Sequence, residues 1–414
     1  MDVLFLGGFF DNKMENDILK KTKGSVQYAA NKFQWNLIDG LLEDAHLNLF
    51  ALSAPFIGAY PRQYNDIFFE EDTLDYRGKL KCDYVQFNNL WGYRNISRQK
   101  QLKNKIKVFA ETSSHDKVII VYSPHTPLLQ AAVYAKKADP SIHICLVVPD
   151  LPQYMNLSND RSLIYDILKK IDIKTLNKIM SYVDSFVLLT SQMKEILKVN
   201  DRPYVVVEGL VSKNNVFQYD NIGSTLAENN RKDKKSVVYT GTLNEKFGVI
   251  NLVNAFIRLD MKDVELIICG TGDAVKTIKD YSVQDDRIIY MGQTSNTVAT
   301  EIQKNATVLV NPRQNNEEFT KYSFPSKNME YLLSGNPLIA YKLDGIPDEY
   351  DPYIHYVEND SIEAFTNELS KVLNLPEHER KEKGERAQRF VLENKNNIVV
   401  SEKITNMIIK SRGI

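Results

Sequence analysis

The stretch "SFPSKNMEYLLSGNPLIA", residues 323–340, couples a helix signal directly to a strand signal. Pro325 suits a helix start, where its missing N–H is not needed. Ser323 is placed to cap the free amides of that first turn. Met329, Leu332 and Leu333 recur at helical spacing and predict one buried stripe. Gly335 falls where helices end in a left-handed residue, and residues 337–340 form a short apolar run of the kind buried strands use. On the opposite face of the predicted helix stand Ser326, Lys327 and Glu330. A serine, a cation and a carboxylate thus gather beside a helix N-terminus, which itself favours anions. A plain solvated face is the alternative.

Outward from this stretch the same helix–strand alternation fills the chain. Before it, "SVVYTGT", "VELIICGTG", "RIIYMGQ" and "ATVLVNPR" are strand-like, and "NPLIAYKLDG" follows the helix. The first half repeats the scheme with "VLFLGG", "NLFALSA", "KVIIVYSP", "IHICLVVPD", "SFVLLTS" and "YVVVEG". Amphipathic stretches such as "AANKFQWNLIDGLLED" and "LLQAAVYAKKAD" lie between them, and "NIVVSEKITNMIIKSRGI" predicts a last amphipathic helix. Strands apolar throughout, alternating with helices, predict parallel sheets covered on both faces. The polar, aperiodic stretch 219–236 reads as an inter-domain linker. It divides the chain into doubly wound α/β domains over residues 1–218 and 219–394. Ligands of such sheets bind beyond the carboxyl ends of the strands.

Composition narrows the function classes. The 414 residues are 43% hydrophobic and 25% charged, with a formal net charge of −1. That length favours two domains, and the near-neutral balance argues against a nucleic-acid binder, whose footprint is a basic excess. The three cysteines, Cys82, Cys145 and Cys269, are scattered and make neither a disulfide framework nor a metal spacing. A reducing, cytoplasmic compartment is the simplest expectation. No apolar run reaches the length of a membrane span. Asp2 stands where a signal peptide would carry positive charge.

Polar residues cluster where those strands end. Gly241 and Thr242 follow "SVVY", with Lys246 and Gly248 soon after. Gly270 and Gly272 follow "VELIIC" in a turn of the kind that lets a ligand approach the backbone, though taken alone such a turn is more often structural than ligand-binding. The turn lacks the third glycine and the acidic residue of a dinucleotide fingerprint, so an NAD site is not expected. Arg313, at the end of "ATVLVNP", is placed to clamp a phosphate or to pair with Glu317 or Glu318.

In this order and at these intervals the second half resembles the nucleotide-sugar domain of retaining glycosyltransferases of family 4, bacterial capsule and exopolysaccharide members above all. The first half is similar to their acceptor domain through "LFLGGFF", "KGSVQYAANKFQWNLIDGL", "YSPHTPLLQAA", "VVPDLPQYM" and "YVDSFVLLTSQMKEIL". The resemblance implies a GT-B fold, in which two Rossmann-like domains face a central cleft and the final helix, 395–414, packs back on the first. It implies that Glu330 holds the nucleotide ribose, while the family's opening glutamate falls at Tyr322 and is missing, with Glu318 and Lys321 nearby. Thr242 and Phe247 occupy positions where many relatives carry an arginine and a lysine for the diphosphate. Arg313, Lys327 and Lys246 are then expected to carry that charge, with Ser326, Gly241, Gly270 and Gly272 around the donor. Asp150 matches the family's residue beside the reacting sugar, Gly24 and Ser25 its glycine turn near the diphosphate, and His125 is a candidate for the acceptor side. For His125 a hydrogen-bonded core imidazole is the competing reading.

The resulting expectation is a metal-independent, cofactor-free transferase moving a sugar, with retention, from a UDP-linked donor to a saccharide hydroxyl of a polysaccharide precursor. A nucleotide-sugar epimerase of the same fold and a non-catalytic donor-binding subunit are the alternatives. The family implies a lipid-linked acceptor. The basic stretch 93–107, with Leu102 and Ile106 four apart, has the form of a helix lying on anionic lipid at the inner face of the membrane.

Overall fold

The computed structural model describes residues 1–24, 26–111, 116–151, 163–213 and 234–413. Two compact units emerge: residues 1–210 with 397–414, and residues 211–396. The stretch 219–236 lies outside the described residues up to 233, and its last residues, Lys235 and Ser236, already belong to a strand.

In the first unit β1 (Asp2–Gly7) is followed by α1 (Asn12–Lys21) and α2 (Tyr28–Leu42), then β2 (Asn48–Ser53). Four short strands come next: β3 (Phe68–Phe69), β4 (Asp72–Tyr76), β5 (Leu80–Tyr84) and β6 (Phe87–Asn88). After α3 (Arg94–Ala110) the alternation is regular: β7 (Lys117–Tyr122), α4 (Thr126–Ala138), β8 (His143–Val148), α5 (Leu163–Ile179), β9 (Ser185–Leu188). It closes with α6 (Met193–Ile196) and β10 (Tyr204–Val206). The eight-stranded sheet runs β10-β9-β8-β7-β1-β2-β5-β4 and is parallel except for β4. Every residue of β7 and β8 is buried, which is why their sequences show no alternation. The β4–β5 hairpin escapes sequence reading because "DTLDYRGKLKCDY" is polar. Its turn is set by two left-handed residues, Arg77 at φ 56° and Gly78 at φ 65°.

The second unit starts with β11 (Lys235–Thr240), α7 (Val249–Ile257), β12 (Val264–Cys269) and α8 (Val275–Gln284). It continues with β13 (Ile288–Gly292), α9 (Asn296–Lys304), β14 (Val308–Asn311), α10 (Ser326–Leu333) and β15 (Leu338–Ala340). β16 (Ile354–Tyr356), α11 (Ile362–Asn374) and α12 (Glu377–Asn394) complete it. Its all-parallel sheet has the order β13-β12-β11-β14-β15-β16. Numbered within the unit this is 3-2-1-4-5-6, the dinucleotide-fold order whose direction reverses between the first and fourth strands.

The last helix, α13 (Asn397–Arg412), belongs to the first unit and lies on α2. Its approach requires Gly40, where a Cβ would stand 2.1 Å from the Asn397 carbonyl oxygen. Lys403 Nζ donates to the Val206 carbonyl at 3.0 Å, and Ile404 and Ile408 are fully buried.

The surface-helix reading of 93–107 is corrected by α3. Leu102 and Ile106 are fully buried, so protein covers the side that lipid would need. Arg98 is buried too, donating to the Pro55 carbonyl at 2.6 Å with its guanidinium 4.3 Å from the Phe87 ring. Lys105 and Lys107 pair at the surface with Glu71 and Glu111. Among the described residues no helix is long and apolar enough to cross a membrane.

Candidate functional site

In the second unit the reversal of strand order lies between β11 and β14, the point at which sheets of this order take their ligands. The segments after these two strands are tightly joined at their start. Gly248, left-handed at φ 78°, ends a 3₁₀ turn at Glu245–Phe247 and opens α7. A Cβ there would stand 2.1 Å from the Pro312 carbonyl oxygen. This contact sets Phe247 against Arg313, whose guanidinium lies 4.2 Å from the ring centroid, with Phe319 at 6.0 Å. A guanidinium over an aromatic face is held by the ring's negative face. Phe247, the substitute for an expected lysine, thus holds a cation contributed by another strand. Beneath it Tyr239 is pushed up to about 12 by burial, against the opposing pull of Arg313, and stays neutral.

The "CGTGD" turn after β12 serves this loop from behind. Gly270 has φ 141°, and a Cβ there would meet the Gly241 carbonyl oxygen at 1.8 Å; one on Gly272 would meet that of Leu243 at 2.2 Å. Both glycines are thus required by packing between loops, the structural reading of this turn, while Gly270 stays half-buried and Gly272 exposed. Asp273 accepts from Asn244 Nδ2 and from the Glu245 N–H, each at 3.0 Å. Asn244 Oδ1 in turn accepts from the Lys246 N–H at 2.9 Å. Thr242 and Lys246 remain exposed, and Gly241 is half-buried.

Helix α10 carries the rest. Met329, Leu332 and Leu333 are buried as expected, and Gly335 is left-handed at φ 81°. The cap is not as expected: Pro325 occupies the N-cap position without a side-chain cap, and the Ser323 hydroxyl is buried without a hydrogen bond. The first turn therefore receives no side-chain cap, although the Asn328 N–H donates to the Pro325 carbonyl at 2.8 Å, and the helix start keeps its positive partial charge. Ser326 is exposed. Lys327 Nζ lies 2.6 Å from Glu330 Oε2, with side chains 31% and 24% exposed, so the pair is reachable from solvent. Tyr322 is half-buried on the 3₁₀ turn Glu318–Tyr322, with Glu318 and Lys321 exposed beside it.

Two buried contacts that sequence reasoning missed register α10 against the strands. Asn311, the last residue of β14, donates to Asn328 Oδ1 at 2.6 Å. The Tyr331 hydroxyl accepts from the Thr240 N–H at 2.9 Å and donates to the Thr240 carbonyl at 3.0 Å. Thr240 directly precedes Gly241, so the helix start and both strand ends are fixed together. A polar Asn328 and Tyr331 beside an apolar stripe were the available signal, because buried polar groups need partners.

In the first unit the strand order reverses between β1 and β7. After β1, Gly8 donates to Gln34 Oε1 at 2.8 Å, and a Cβ on Gly8 would stand 2.3 Å from the Phe56 ring. After β7, Ser123 is left-handed at φ 74° and leads to His125 at the start of α4. The His125 ring packs edge-on to Phe56 at 5.4 Å, but its buried Nδ1 makes no hydrogen bond. This differs from a satisfied core imidazole. Burial, followed by the charges of Arg98 and Arg94, lowers its pKa to about 3. Asp150 is exposed at the end of β8, the strand next to β7. Burial chiefly, then the Asp150 charge, raises the Tyr122 pKa. Residues 152–162, which follow closely on Asp150, lie outside the described residues, as does Ser25. Gly24 is exposed with open space around its Cα.

Residues 225–390 match the family model "Glycosyl transferases group 1". No curated protein matches the sequence. Among solved structures, the chain is similar to sucrose-phosphate synthase from Thermosynechococcus elongatus, with a TM-score of 0.64, 13% identity, and 99% of each chain covered. It is also similar to the lipopolysaccharide outer core galactosyltransferase WaaB, with a TM-score of 0.59, 16% identity, and 99% of each chain covered. Anabaena HepE in complex with UDP superposes with a TM-score of 0.64 at 12% identity, covering 99% of this chain and 100% of that one.

The fold is GT-B.

Within this GT-B chain the family match lies almost wholly on the second unit. That unit contains Arg313, the uncapped helix α10 and the Lys327–Glu330 pair. What the arrangement offers chemically is two cations, a helix N-terminus and a solvent-reachable carboxylate on the carboxyl-end side of one parallel sheet.

Proposed function

We propose that the chain is a retaining glycosyltransferase that moves a sugar from a UDP-linked donor to a hydroxyl of a saccharide precursor of a bacterial polysaccharide. The observation that carries this is the join of Arg313, Phe247 and α10 at the strand-order reversal of the second unit. A diphosphate leaving group develops negative charge as the sugar departs. Pre-oriented cations and helix amides stabilise that charge without reorganising at the moment of reaction. Arg313, Lys327 and Lys246 are assigned to the diphosphate, with Ser326 and the Gly241–Thr242 turn beside them. The Glu330 carboxylate accepts from the two ribose hydroxyls. Tyr322, at the position of the family's glutamate, is assigned to the donor side, with Glu318 and Lys321 as the nearest polar groups for the donor sugar.

The C1–O bond to the diphosphate breaks as the acceptor oxygen bonds C1 from the same face, and the departing phosphate oxygen takes the acceptor proton. Asp150, with Gly24 and Ser25, is assigned to the first unit's side of the reaction, and His125 to the acceptor. His125 acts there as a neutral ring, since its pKa lies far below the working range. The acceptor is lipid-linked, and any membrane contact of α3 is through charge on Lys100, Lys103 and Lys107 rather than through inserted apolar residues.

The experiment is incubation of the purified chain with UDP-, GDP- and dTDP-sugars while anomeric protons are followed by NMR. The expected result is slow release of free sugar from one UDP-sugar, its first-formed anomer matching the donor. Formation of an isomeric nucleotide-sugar with no acceptor would instead identify an epimerase. No turnover of any donor, together with no thermal shift by UDP, sinks the assignment; a ligand at a hundred times its Kd adds roughly 2.7 kcal/mol.

A further inference from the structure

A cavity of about 600 Å³ lies in the first unit, outside the residues assigned above. That volume is typical of small-molecule sites, roughly 300–1,000 Å³. Its walls come from α1 and from residues 60–72. These are the excursions that follow β1 and β2, so both leave the sheet from its carboxyl ends, where doubly wound sheets take their ligands.

The lining combines aromatic rings with carboxylates. Phe68 is 59% exposed at this wall, although a large ring gains by burial. Its neighbour Phe69 is fixed by stacking on Phe87 at 5.2 Å. Tyr64 is only 2% exposed and lines the cavity. The ring is thus held by the fold while the residue lines the cavity, where its hydroxyl is available to a ligand. It is neutral at any working pH, since burial pushes it up to about 12.

The charges decide which ligand fits. Lys21 is the cavity's cation, and it is already held between Asp17 at 2.6 Å and Asp66 at 2.8 Å. Glu70, Glu71 and Asp72 line the remaining wall. Glu71 and Asp72 form ion pairs with solvent-exposed lysines, Lys105 at 3.5 Å and Lys13 at 3.7 Å, and Asp72 also accepts from the Thr73 N–H at 2.8 Å. A phosphate or uronate would meet the lining carboxylates Asp17, Asp66, Glu70, Glu71 and Asp72 against a single lining lysine that two of them already hold. Hydroxyl groups, by contrast, can donate to carboxylates, and the apolar face of a pyranose ring can lie on Phe68.

We infer that this cavity binds an uncharged saccharide unit, with Phe68 as platform, the Tyr64 hydroxyl as an internal hydrogen-bond partner and Glu70 as acceptor of sugar hydroxyls. That this saccharide is the transferase's acceptor rests on the proposed function. Saccharide binding itself does not. The anionic carrier of a lipid-linked acceptor therefore stays outside this cavity, and only its sugar enters.

The test is a glycan array probed with the full-length chain, carrying neutral glycans alongside the same structures bearing uronate or phosphate groups. Neutral glycans should be retained, with acidic counterparts at least about tenfold weaker, the factor given by 1.4 kcal/mol. Phe68→Ala should abolish retention, and Tyr64→Phe should weaken it about threefold to tenfold, as for one neutral hydrogen bond. Circular dichroism on both variants checks that they fold. Absence of any bound glycan, equal retention of acidic ones, or unchanged retention by Phe68→Ala overturns the inference. UDP-induced thermal stabilisation, measured on the same preparation, reports separately on the donor reading.

Discussion

Replacing Glu330 by alanine separates ribose recognition from fold stability. In the unliganded chain Glu330 pairs with Lys327 at 2.6 Å, and both side chains keep about a quarter to a third of their surface exposed. Breaking an exposed pair of this kind costs about 0–1 kcal/mol. The melting temperature should then fall by no more than about 4 °C, given roughly 2–4 °C per kcal/mol for a unit of this size. Binding should change more. A hydrogen bond to a charged carboxylate contributes about 1.5–3 kcal/mol, so Kd for UDP should rise about tenfold to a hundredfold. Lys327 provides the internal control, since freeing it leaves the phosphate contact in place. Isothermal titration with UDP and with inorganic pyrophosphate resolves the two roles. Glu330→Ala should weaken UDP and spare pyrophosphate, while Lys327→Met should weaken both. Equal affinity of wild type and Glu330→Ala for UDP, or a parallel loss of pyrophosphate affinity, refutes the ribose assignment and makes Glu330 the surface partner of Lys327.

Other variants test the remaining assignments. Arg313→Met should lower turnover by more than it weakens uridine binding, and Phe247→Leu should reproduce part of that loss by releasing the guanidinium; wild-type kcat in both would move the phosphate cradle elsewhere. Asp150→Asn should cut transfer at least about tenfold, in the range of electrostatic contributions, and leave UDP affinity within twofold; a normal rate removes Asp150 from the reaction. His125 has a folded pKa of about 3 against its ordinary 6.5. Between these values the unfolded chain holds the extra proton, so the stability due to neutral His125 is complete above pH 6.5 and is lost on acidification. Urea unfolding at pH 7.5 and 5 should therefore show an acid penalty that His125→Gln reduces by about 1–2 kcal/mol; an unchanged penalty places the titration elsewhere. Changing Lys100, Lys103 and Lys107 to glutamate should abolish salt-sensitive sedimentation with anionic liposomes, and a wild type that ignores lipid charge ends the membrane proposal.

The sequence by itself determined the parallel architecture, because strands buried on both faces must be apolar throughout. It determined α10 for a related reason: Met329, Leu332 and Leu333 fix the buried face, and Gly335 supplies a backbone conformation that other residues resist. It also put Lys327 and Glu330 three apart, where a helix brings them together. Local pattern could not decide whom each polar group meets. Ser323 has the chemistry of a cap, yet Pro325 occupies that position and the Ser323 hydroxyl is buried. Gly270 and Gly272 carry the mark of a ligand turn, but carbonyls of the Gly241–Leu243 segment stand where their side chains would be. Leu102 and Ile106 make a stripe that lipid or protein could cover, and the fold covers it. Arg313 meets Phe247 across 66 positions of sequence, and Tyr331 meets Thr240 across 91. Such partners are set by the order of strands in the sheet, which brings the ends of β11 and β14 side by side.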